Sequence, residues 1–437
     1  MSRIVFRNAN LLDGDQPLRP GSSVVVEEQR ISAVGADASI AARPDDRVVD
    51  LEGRTLMPGL WSCHFHTCFS NWALASAPLL GLEAQPGVMA IVAQKNITTA
   101  MDCGFTSLVC SSSAYNLDHA LKVAITGGLI SGPRIWACTR EMISPGDQAD
   151  GSNSSWYMEV GNTGLLRICS GPEAFRSAIR EELGRGADIA KIAASMGHGV
   201  GPAEELESVN RAELAAAVDA AHGRGKKIRA HAASRRSIID SAWAGVDIID
   251  HADRMDTECI DAILEAGSSL APTLLFSQRF LAFLQGMLDQ GVAMGASFIA
   301  EGPAERQRRI DEGRADFENI CSVLPEANRA GMRIVVGDDY GVTSLPHGDY
   351  MDELALYVKE IGIPPLDVIR WATKHGAETV DRGDELGTVE IGKLADLLVV
   401  DGDPIADIAC LKDRDNLLGI MKEGVFYKDA LGVPGVP

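Results

Sequence analysis

Residues 227–251, KIRAHAASRRSIIDSAWAGVDIIDH, decide the fold class. Residues 227–231 favour a strand, a helical pattern follows through Ile238 and Trp243, and residues 246–251 favour a second strand. Strand, helix and strand in this order are typical of a parallel sheet. Each of the two strands has a histidine at its carboxyl end.

The helix before this unit begins with a capping signal. Asn210 and Glu213 are three positions apart, as in a reciprocal capping box. Leu214, Val218 and Ala221 then share one helical face. Two glycines just beyond this face predict the end of the helix, so the βα alternation starts well before residue 227.

Short strand patterns at both ends of the chain flank the βα region. They are separated by Gly, Pro and Asp, which favour turns and indicate a small antiparallel sheet at the N-terminus. Strands are expected at residues 4–6, 23–26, 31–34, 48–51, 388–393 and 395–400, and in a hairpin through residues 419–427.

The chain length fits one large and one small domain. Residues 59–385 suffice for an α/β barrel, which typically takes about 250 residues. Residues 1–58 and 386–437 are expected to form a composite small β-sandwich domain. The predicted fold class is therefore α/β, a (β/α)8 TIM-like barrel with a β-sandwich built from both termini. The helical, charged segment 277–331 is interpreted as an elaborated outer helix layer, with a lid or an oligomer contact as alternatives.

Composition excludes several classes of partner. The chain has 40 basic and 61 acidic residues, a net charge of −21, and so repels phosphate backbones and anionic lipid headgroups. Nine cysteines without a CxxC pair indicate buried thiols in a reducing compartment. The N-terminus lacks a continuous apolar signal region, and the most apolar stretch, about 75–92, contains Glu83 and Pro86. We expect a cytoplasmic homo-oligomer that acts on a small molecule and binds neither nucleic acid nor membrane.

Six residues suited to metal chemistry follow strand patterns. They are His64, His66, Lys191, His231, His251 and Asp339. The first two are at positions i and i+2 of a strand and therefore point to the same face. Individually, each of the six has an ordinary structural explanation, such as a surface lysine or a helix cap. Because the carboxyl ends of barrel strands open on one face, we expect all six to converge there.

In the order of these motifs the sequence resembles the amidohydrolase superfamily, over nearly its whole length. The matching segments are residues 56–60 leading into 64–66, then 188–192, 230–232, 250–251, 336–339 and 387–396. Within the superfamily it is most similar to the binuclear branch that contains imidazolonepropionase-like hydrolases and prolidase-like carboxypeptidases.

The resemblance implies two divalent metal ions, with zinc favoured by the imidazole and carboxylate ligands. It implies that the first two histidines bind one ion and the last two bind the other. Lys191, as a CO2-derived carbamate, would bridge both ions, and Asp339 would bind the first ion and shuttle the proton. The implied reaction is hydrolysis of a C–N bond in an amide, carbamate, urea or lactam by a metal-bridging hydroxide.

The substrate contacts depart from the pattern of this branch. Ala233 and residues 145–148 stand where the branch often has histidines. Candidate substrate-binding residues are Arg140, Ser195, His198 and Arg235. With few evident cations for a substrate carboxylate, we expect recognition of an aryl or alkyl amide, carbamate or urea through apolar contacts, in preference to a dipeptide.

Three alternatives stay open. A mononuclear aminohydrolase, or deaminase, would typically carry a glutamate where Ser234 stands, and would not need Lys191. A prolidase-like carboxypeptidase would cleave N-acyl amino acids or dipeptides. A scaffold that has lost catalysis would be indicated by a missing ligand, yet all six positions are filled.

Overall fold

The computed structural model describes residues 3–70, 84–147, 150, 164–198, 203, 205, 208–292, 302–342 and 344–432. Its strands are β1 (Arg3–Leu11), β2 (Arg19–Glu27), β3 (Arg30–Ala36), β4 (Arg47–Asp50), β5 (Thr55–Pro58), β6 (Leu60–Phe65), β7 (Phe105–Cys110), β8 (Arg134–Trp136), β9 (Cys138–Ile143), β10 (Leu166–Ile168), β11 (Ile189–Ala193), β12 (Lys227–Ala232), β13 (Ile248–His251), β14 (Ser269–Ala271), β15 (Arg333–Ile334), β16 (Leu397–Val400), β17 (Leu417–Lys422) and β18 (Val425–Asp429). Its α-helices are α1 (Pro86–Asp102), α2 (Leu117–Thr126), α3 (Pro172–Gly184), α4 (Arg211–His222), α5 (Arg235–Ala244), α6 (Thr257–Ala266), α7 (Leu274–Asp289), α8 (Pro303–Arg329), α9 (Tyr350–Ala355), α10 (Pro365–Trp371) and α11 (Lys374–Thr379).

The central strands form the predicted barrel. Strands β6, β7 and β8 make one parallel sheet, and the order β10-β9-β11-β12-β13-β14-β15 makes a second. Backbone hydrogen bonds join the two sheets, from Cys63 N to Val336 O at 2.6 Å and from Ser113 N to Thr139 O at 3.0 Å. The carboxyl ends of these strands consequently open on one face of the barrel.

The unit at residues 227–251 folds as predicted. Strands β12 and β13 pair in parallel, with Ala232 opposite His251. The capping box at Asn210 is present and begins α4, which confirms that helix start. Along β12 the alternate residues Arg229 and His231 share one face. Because the Arg229 guanidinium donates to the carbonyls of Cys63 and Cys110, that face is the barrel interior.

Both termini build a third sheet, in the order β18-β17-β16-β5-β1-β2-β3, with β4 also on β1. Two expectations are corrected here. Strands β4 and β5 pair with β1 in parallel, so the N-terminal part is not purely antiparallel. Residues 388–393 form no strand, because their backbone bonds do not follow one partner strand: Val389 N donates to Asp13 O, Gly392 N donates to Ile31 O of β3, and Lys393 N donates to Glu390 O within a turn.

The charged segment 277–331 contributes α7 and α8, with residues 293–301 outside the described part. Arg314 on α8 donates to Gln285 on α7 at 2.7 Å, and Ile320 and Leu324 on α8 are buried. The described part of this segment thus packs as outer helices; a lid or an oligomer contact stays a prediction. Among the described residues, no helix combines the length and apolar character needed to cross a membrane. All nine cysteines are free; seven are buried, as predicted, whereas Cys321 and Cys410 are partly exposed.

Candidate metal centre

Two histidines of β6 meet an aspartate at the carboxyl end of the barrel. His64 Nε2 lies 2.9 Å and His66 Nε2 lies 3.0 Å from Asp339 Oδ1, and the two ring nitrogens are 3.2 Å apart. Both rings are buried. The structure therefore brings together three predicted ligands in a group that could hold a metal ion.

The outer nitrogens of both rings have partners that fix their orientation. His64 Nδ1 lies 3.3 Å from Asp250 Oδ1, and Ser112 Oγ lies 3.2 Å from His66 Nδ1. Such partners hold the other ring nitrogen toward a metal position. Burial lowers the pKa of His66 to about 4, so its imidazole is neutral at physiological pH, as a ligand must be.

Asp339 lies in the irregular segment that follows β15. Gly337 has φ +133°, and a Cβ there would lie 2.3 Å from His64 N, so only glycine fits beside β6. The neighbouring Asp338 points elsewhere, and its Oδ2 accepts hydrogen bonds from Leu275 N and Phe276 N at the start of α7. Burial acts to raise the pKa of Asp339, but His64 and His66 outweigh it and hold that pKa well below its usual value.

The second predicted ligand group lies across the mouth. The rings of His231 and His251 are 4.3 Å apart. Among the described residues, His231 Nε2 is buried without a hydrogen-bond partner. Burial, with Lys191 and His198 nearby, lowers the pKa of His231 to about 3. His231 thus presents a neutral, unpaired nitrogen, which suits a metal ligand.

Lys191 belongs to a buried ionic cluster that the sequence did not reveal. Its Nζ donates to Asp250 Oδ2 at 2.7 Å, and Arg229 Nε donates to the same oxygen at 3.0 Å. Burial opposes ionisation of Asp250, but Arg229 and Lys191 hold its pKa well below its usual value. A signal for Arg229 did exist, since it precedes His231 by two positions and so shares its inward face. The carbamate on Lys191 stays a prediction.

The four candidate substrate residues divide into two pairs. His198 lies at the centre, with its ring stacked on His251 at 3.8 Å and Nε2 3.8 Å from Asp339 Oδ2. Ser195 Oγ accepts from Ala233 N at 2.9 Å and joins the ends of two barrel strands.

The two arginines pair with carboxylates of the outer helices. Arg140 Nη2 donates to Glu182 of α3 at 2.7 Å, so its side chain lies on the outer helix layer. Arg235 begins α5 and pairs with Asp256 and Glu258. Neither guanidinium joins the ligand cluster. Residues 145–148 are the segment whose sequence departs from the pattern of the branch. Within it, Asp147 is buried and accepts from Ser208 Oγ, while Gln148 lies outside the described residues.

Aromatic rings border the cluster. Phe69 stacks on His66 with ring centres 3.9 Å apart, and Phe276 lies 5.5 Å from His198. Phe276 in turn stacks on Phe280 at 5.0 Å. Apolar rings therefore line part of the border of the ligand cluster.

The donor chemistry fits divalent ions. Neutral imidazoles and a carboxylate are the ligand types of zinc and similar metals. A second possible ligand group consists of His198, His251 and Asp339, in which His198 takes the place expected for His231. Whether His198 or His231 is a ligand therefore decides which residues form the second metal position.

Comparisons with known proteins identify the family of this chain. Ochratoxinase of Aspergillus niger is 25% identical over 96% of this chain and 85% of its own length. Imidazolonepropionase of Symbiobacterium thermophilum is 25% identical over 88% of this chain and 85% of its own. A solved structure of a Xaa-Pro dipeptidase with methionine bound in its active site has a TM-score of 0.83, with 27% identity over 98% of this chain and 100% of that one. The pattern of the amidohydrolase family matches residues 55–426, so this barrel with its ring of histidines belongs to an enzyme of the amidohydrolase family, which acts on C–N bonds.

Proposed function

We propose that this protein is a binuclear metal-dependent hydrolase that cleaves the C–N bond of a small amide, carbamate, urea or lactam. The observation that carries the proposal is the convergence of two ring nitrogens on one oxygen of Asp339, within 3.0 Å. The unpaired nitrogen of His231 across the mouth supports a second ion. We propose zinc as the ion and a carbamate of Lys191 as the bridge.

Two divalent ions in such a site would polarise the scissile carbonyl and lower the pKa of a water molecule to near neutrality. The chain's own residues supply the rest. Asp339 is ionised and turns Oδ2 away from the His64–His66 pair, so this oxygen is placed to accept a proton from the attacking water. The same oxygen can then deliver the proton to the departing nitrogen, as general base and then general acid.

Apolar groups beside the scissile bond are the proposed basis of recognition. Phe69 stacks on the ligand His66 and Phe276 lies beside His198, whereas Arg140 and Arg235 are engaged by carboxylates of the helix layer. A substrate carboxylate would call for a free guanidinium fork, which neither arginine offers. We therefore infer an aryl or alkyl amide, carbamate or urea as substrate.

A deaminase is disfavoured by the surroundings of Ser234. That hydroxyl caps α5, accepting from Ser237 N at 3.3 Å, and cannot replace the carboxylic acid that the deaminase branch uses as proton donor. A dipeptidase is the stronger competitor, because the Xaa-Pro dipeptidase shares fold and 27% of its sequence with this chain.

A hydrolysis screen separates these substrate classes. Purified protein loaded with zinc and bicarbonate is offered aryl amides, aryl carbamates, phenylureas and lactams, alongside N-acyl amino acids and dipeptides, with amine release as the readout. Fastest turnover of an aryl amide, carbamate or urea, lost after chelation and restored by zinc, is the expected result. Preferred cleavage of dipeptides would contradict the substrate class, and activity untouched by complete metal removal would contradict the metal mechanism.

A further inference from the structure

Four residues beside the second histidine pair form a continuous hydrogen-bonded chain. The carboxylate of Asp253 lies 3.1 Å from His198 Nδ1, and His198 Nε2 lies 2.9 Å from Thr273 Oγ1. Thr273 Oγ1 in turn lies 2.6 Å from His251 Nδ1. All four side chains are buried. We call these residues the Asp253 chain.

The donors along the Asp253 chain follow from its acceptors. A carboxylate only accepts, so His198 Nδ1 donates to Asp253. The hydroxyl of Thr273 donates to the carbonyl of Pro272 at 2.7 Å. The Thr273 oxygen therefore accepts from His251 Nδ1 and from His198 Nε2. His251 Nε2 is therefore left without its proton, as metal binding requires.

Four residues in or beside the Asp253 chain have backbone conformations that residues other than glycine rarely adopt. His198, His251 and Thr273 have φ of +61°, +77° and +55°, and Ala252 has +56°. Left-handed φ is unfavourable for a β-branched residue such as Thr273. Conformations of this kind persist where the surrounding structure enforces them, and they concentrate at functional sites. Here they aim Thr273 at both imidazoles.

We propose that Asp253, His198 and Thr273 are positioning residues that set the tautomer and orientation of His251, and thereby the affinity of the second metal position. The proposal rests on the binuclear function proposed above. It assigns His198 a role different from the substrate contact expected from the sequence. Ligating histidines usually donate their other N–H to a fixed partner, and loss of that partner typically costs about 10–100-fold in metal affinity.

Direct metal binding tests the Asp253 chain without reference to activity. Metal-free full-length protein in bicarbonate is titrated with Co²⁺, and its visible absorption reports each ion. Thr273→Val removes the hydroxyl at nearly constant shape, and Asp253→Asn removes the terminal charge. Both variants are expected to weaken the second Co²⁺ by about 10–100-fold and to leave the first unchanged. Thr273→Ser keeps the hydroxyl and should restore wild-type affinity.

Ser277→Ala is the matched control, because the Ser277 hydroxyl lies 3.3 Å from His198 Nδ1 but outside the chain. If circular dichroism shows that Thr273→Val does not fold, the comparison of Asp253→Asn with Thr273→Ser provides the same test. Unchanged binding of both ions in Asp253→Asn and Thr273→Val would overturn the proposal.

Two further results would also overturn it, in distinguishable ways. Loss of the second ion in His198→Ala, together with wild-type binding in Thr273→Val and Asp253→Asn, would show that His198 is itself a ligand. Wild-type protein that binds one Co²⁺ would refute the binuclear function, and the positioning role with it.

Discussion

The two histidine groups of the mouth are built in different ways. His64 and His66 lie on one strand, and their nitrogens already stand 3.2 Å apart beside Asp339. His231 and His251 lie on neighbouring strands with Lys191 on a third, and no such convergence joins them. A spacing of two residues in a strand fixes the first group locally, whereas the second group depends on buried partners for its geometry.

Those buried partners are mostly charged. Arg229, Asp250 and Lys191 form an ionic cluster beneath the second group, and Asp250 also faces His64 at 3.3 Å. Asp250 therefore links the two groups. We therefore expect substitutions around the second group to change metal binding and stability in ways that substitutions in the first group do not.

Replacement of Lys191 is expected to have the largest effect. Lys191→Ala removes the proposed bridge, so metal content should fall from about two ions per chain to about one and most activity should be lost. The fold should survive, because Arg229 still pairs with Asp250. Elemental analysis after loading with excess zinc and bicarbonate measures the stoichiometry, and short carboxylic acids should partly restore activity. Unchanged metal content would show that Lys191 is not the bridge.

Asp339→Asn tests the first group. It should retain the fold and much of the metal but reduce kcat by about 10² to 10⁴, the usual scale for a lost general acid–base. Asp338→Asn is the matched control. Burial and nearby Glu353 raise the pKa of Asp338 well above its usual value, so an amide resembles its protonated form. A larger fall in kcat for Asp338→Asn than for Asp339→Asn would reverse the assigned roles.

Arg229→Met probes the charged support of the second group. It leaves Asp250 buried with Lys191 alone, and breaking a buried ion pair costs about 3–5 kcal/mol of stability. Denaturant unfolding of the metal-free protein provides the measurement. Arg235→Met, which breaks surface pairs with Asp256 and Glu258, should change the unfolding midpoint little. Equal unfolding midpoints for the two variants would show that the buried cluster does not stabilise the fold.

The difference between the groups also explains what the sequence could predict. The barrel and both histidine pairs follow from local periodicity, as at residues 227–251, where each strand ends in a ligand candidate. The partners of those ligands are a matter of tertiary contact. Asp253 and Thr273 meet at His198 from separate loops, and no spacing in the sequence records that meeting.

The same limit accounts for the two arginines. Arg140 lies within β9 and Arg235 follows the end of β12, but the direction of a long side chain depends on the carboxylates nearby. Arg140 points outward because it pairs with Glu182 on α3. Arg235 points toward the start of α6, where it pairs with Asp256. Residues 388–393 show the same limit for the backbone. Their amides donate to separate segments at Asp13, Ile31 and Glu390 in place of the single strand partner that their β pattern predicts.

The smallest effect is expected at these arginines. Because both guanidiniums are engaged by carboxylates outside the ligand cluster, Arg235→Ala and Arg140→Ala should leave KM for an aryl amide or urea unchanged. Arg140→Ala should nevertheless lower the thermal midpoint, since it removes the buried partner of Glu182 and leaves that carboxylate with Arg167 and Arg185 alone. Steady-state kinetics beside thermal unfolding separates binding from stability. A strong rise in KM for N-acyl amino acids or dipeptides with kcat preserved would mean that an arginine turns inward to hold a substrate carboxylate. The metal chemistry would then stand, and the apolar substrate class would be wrong.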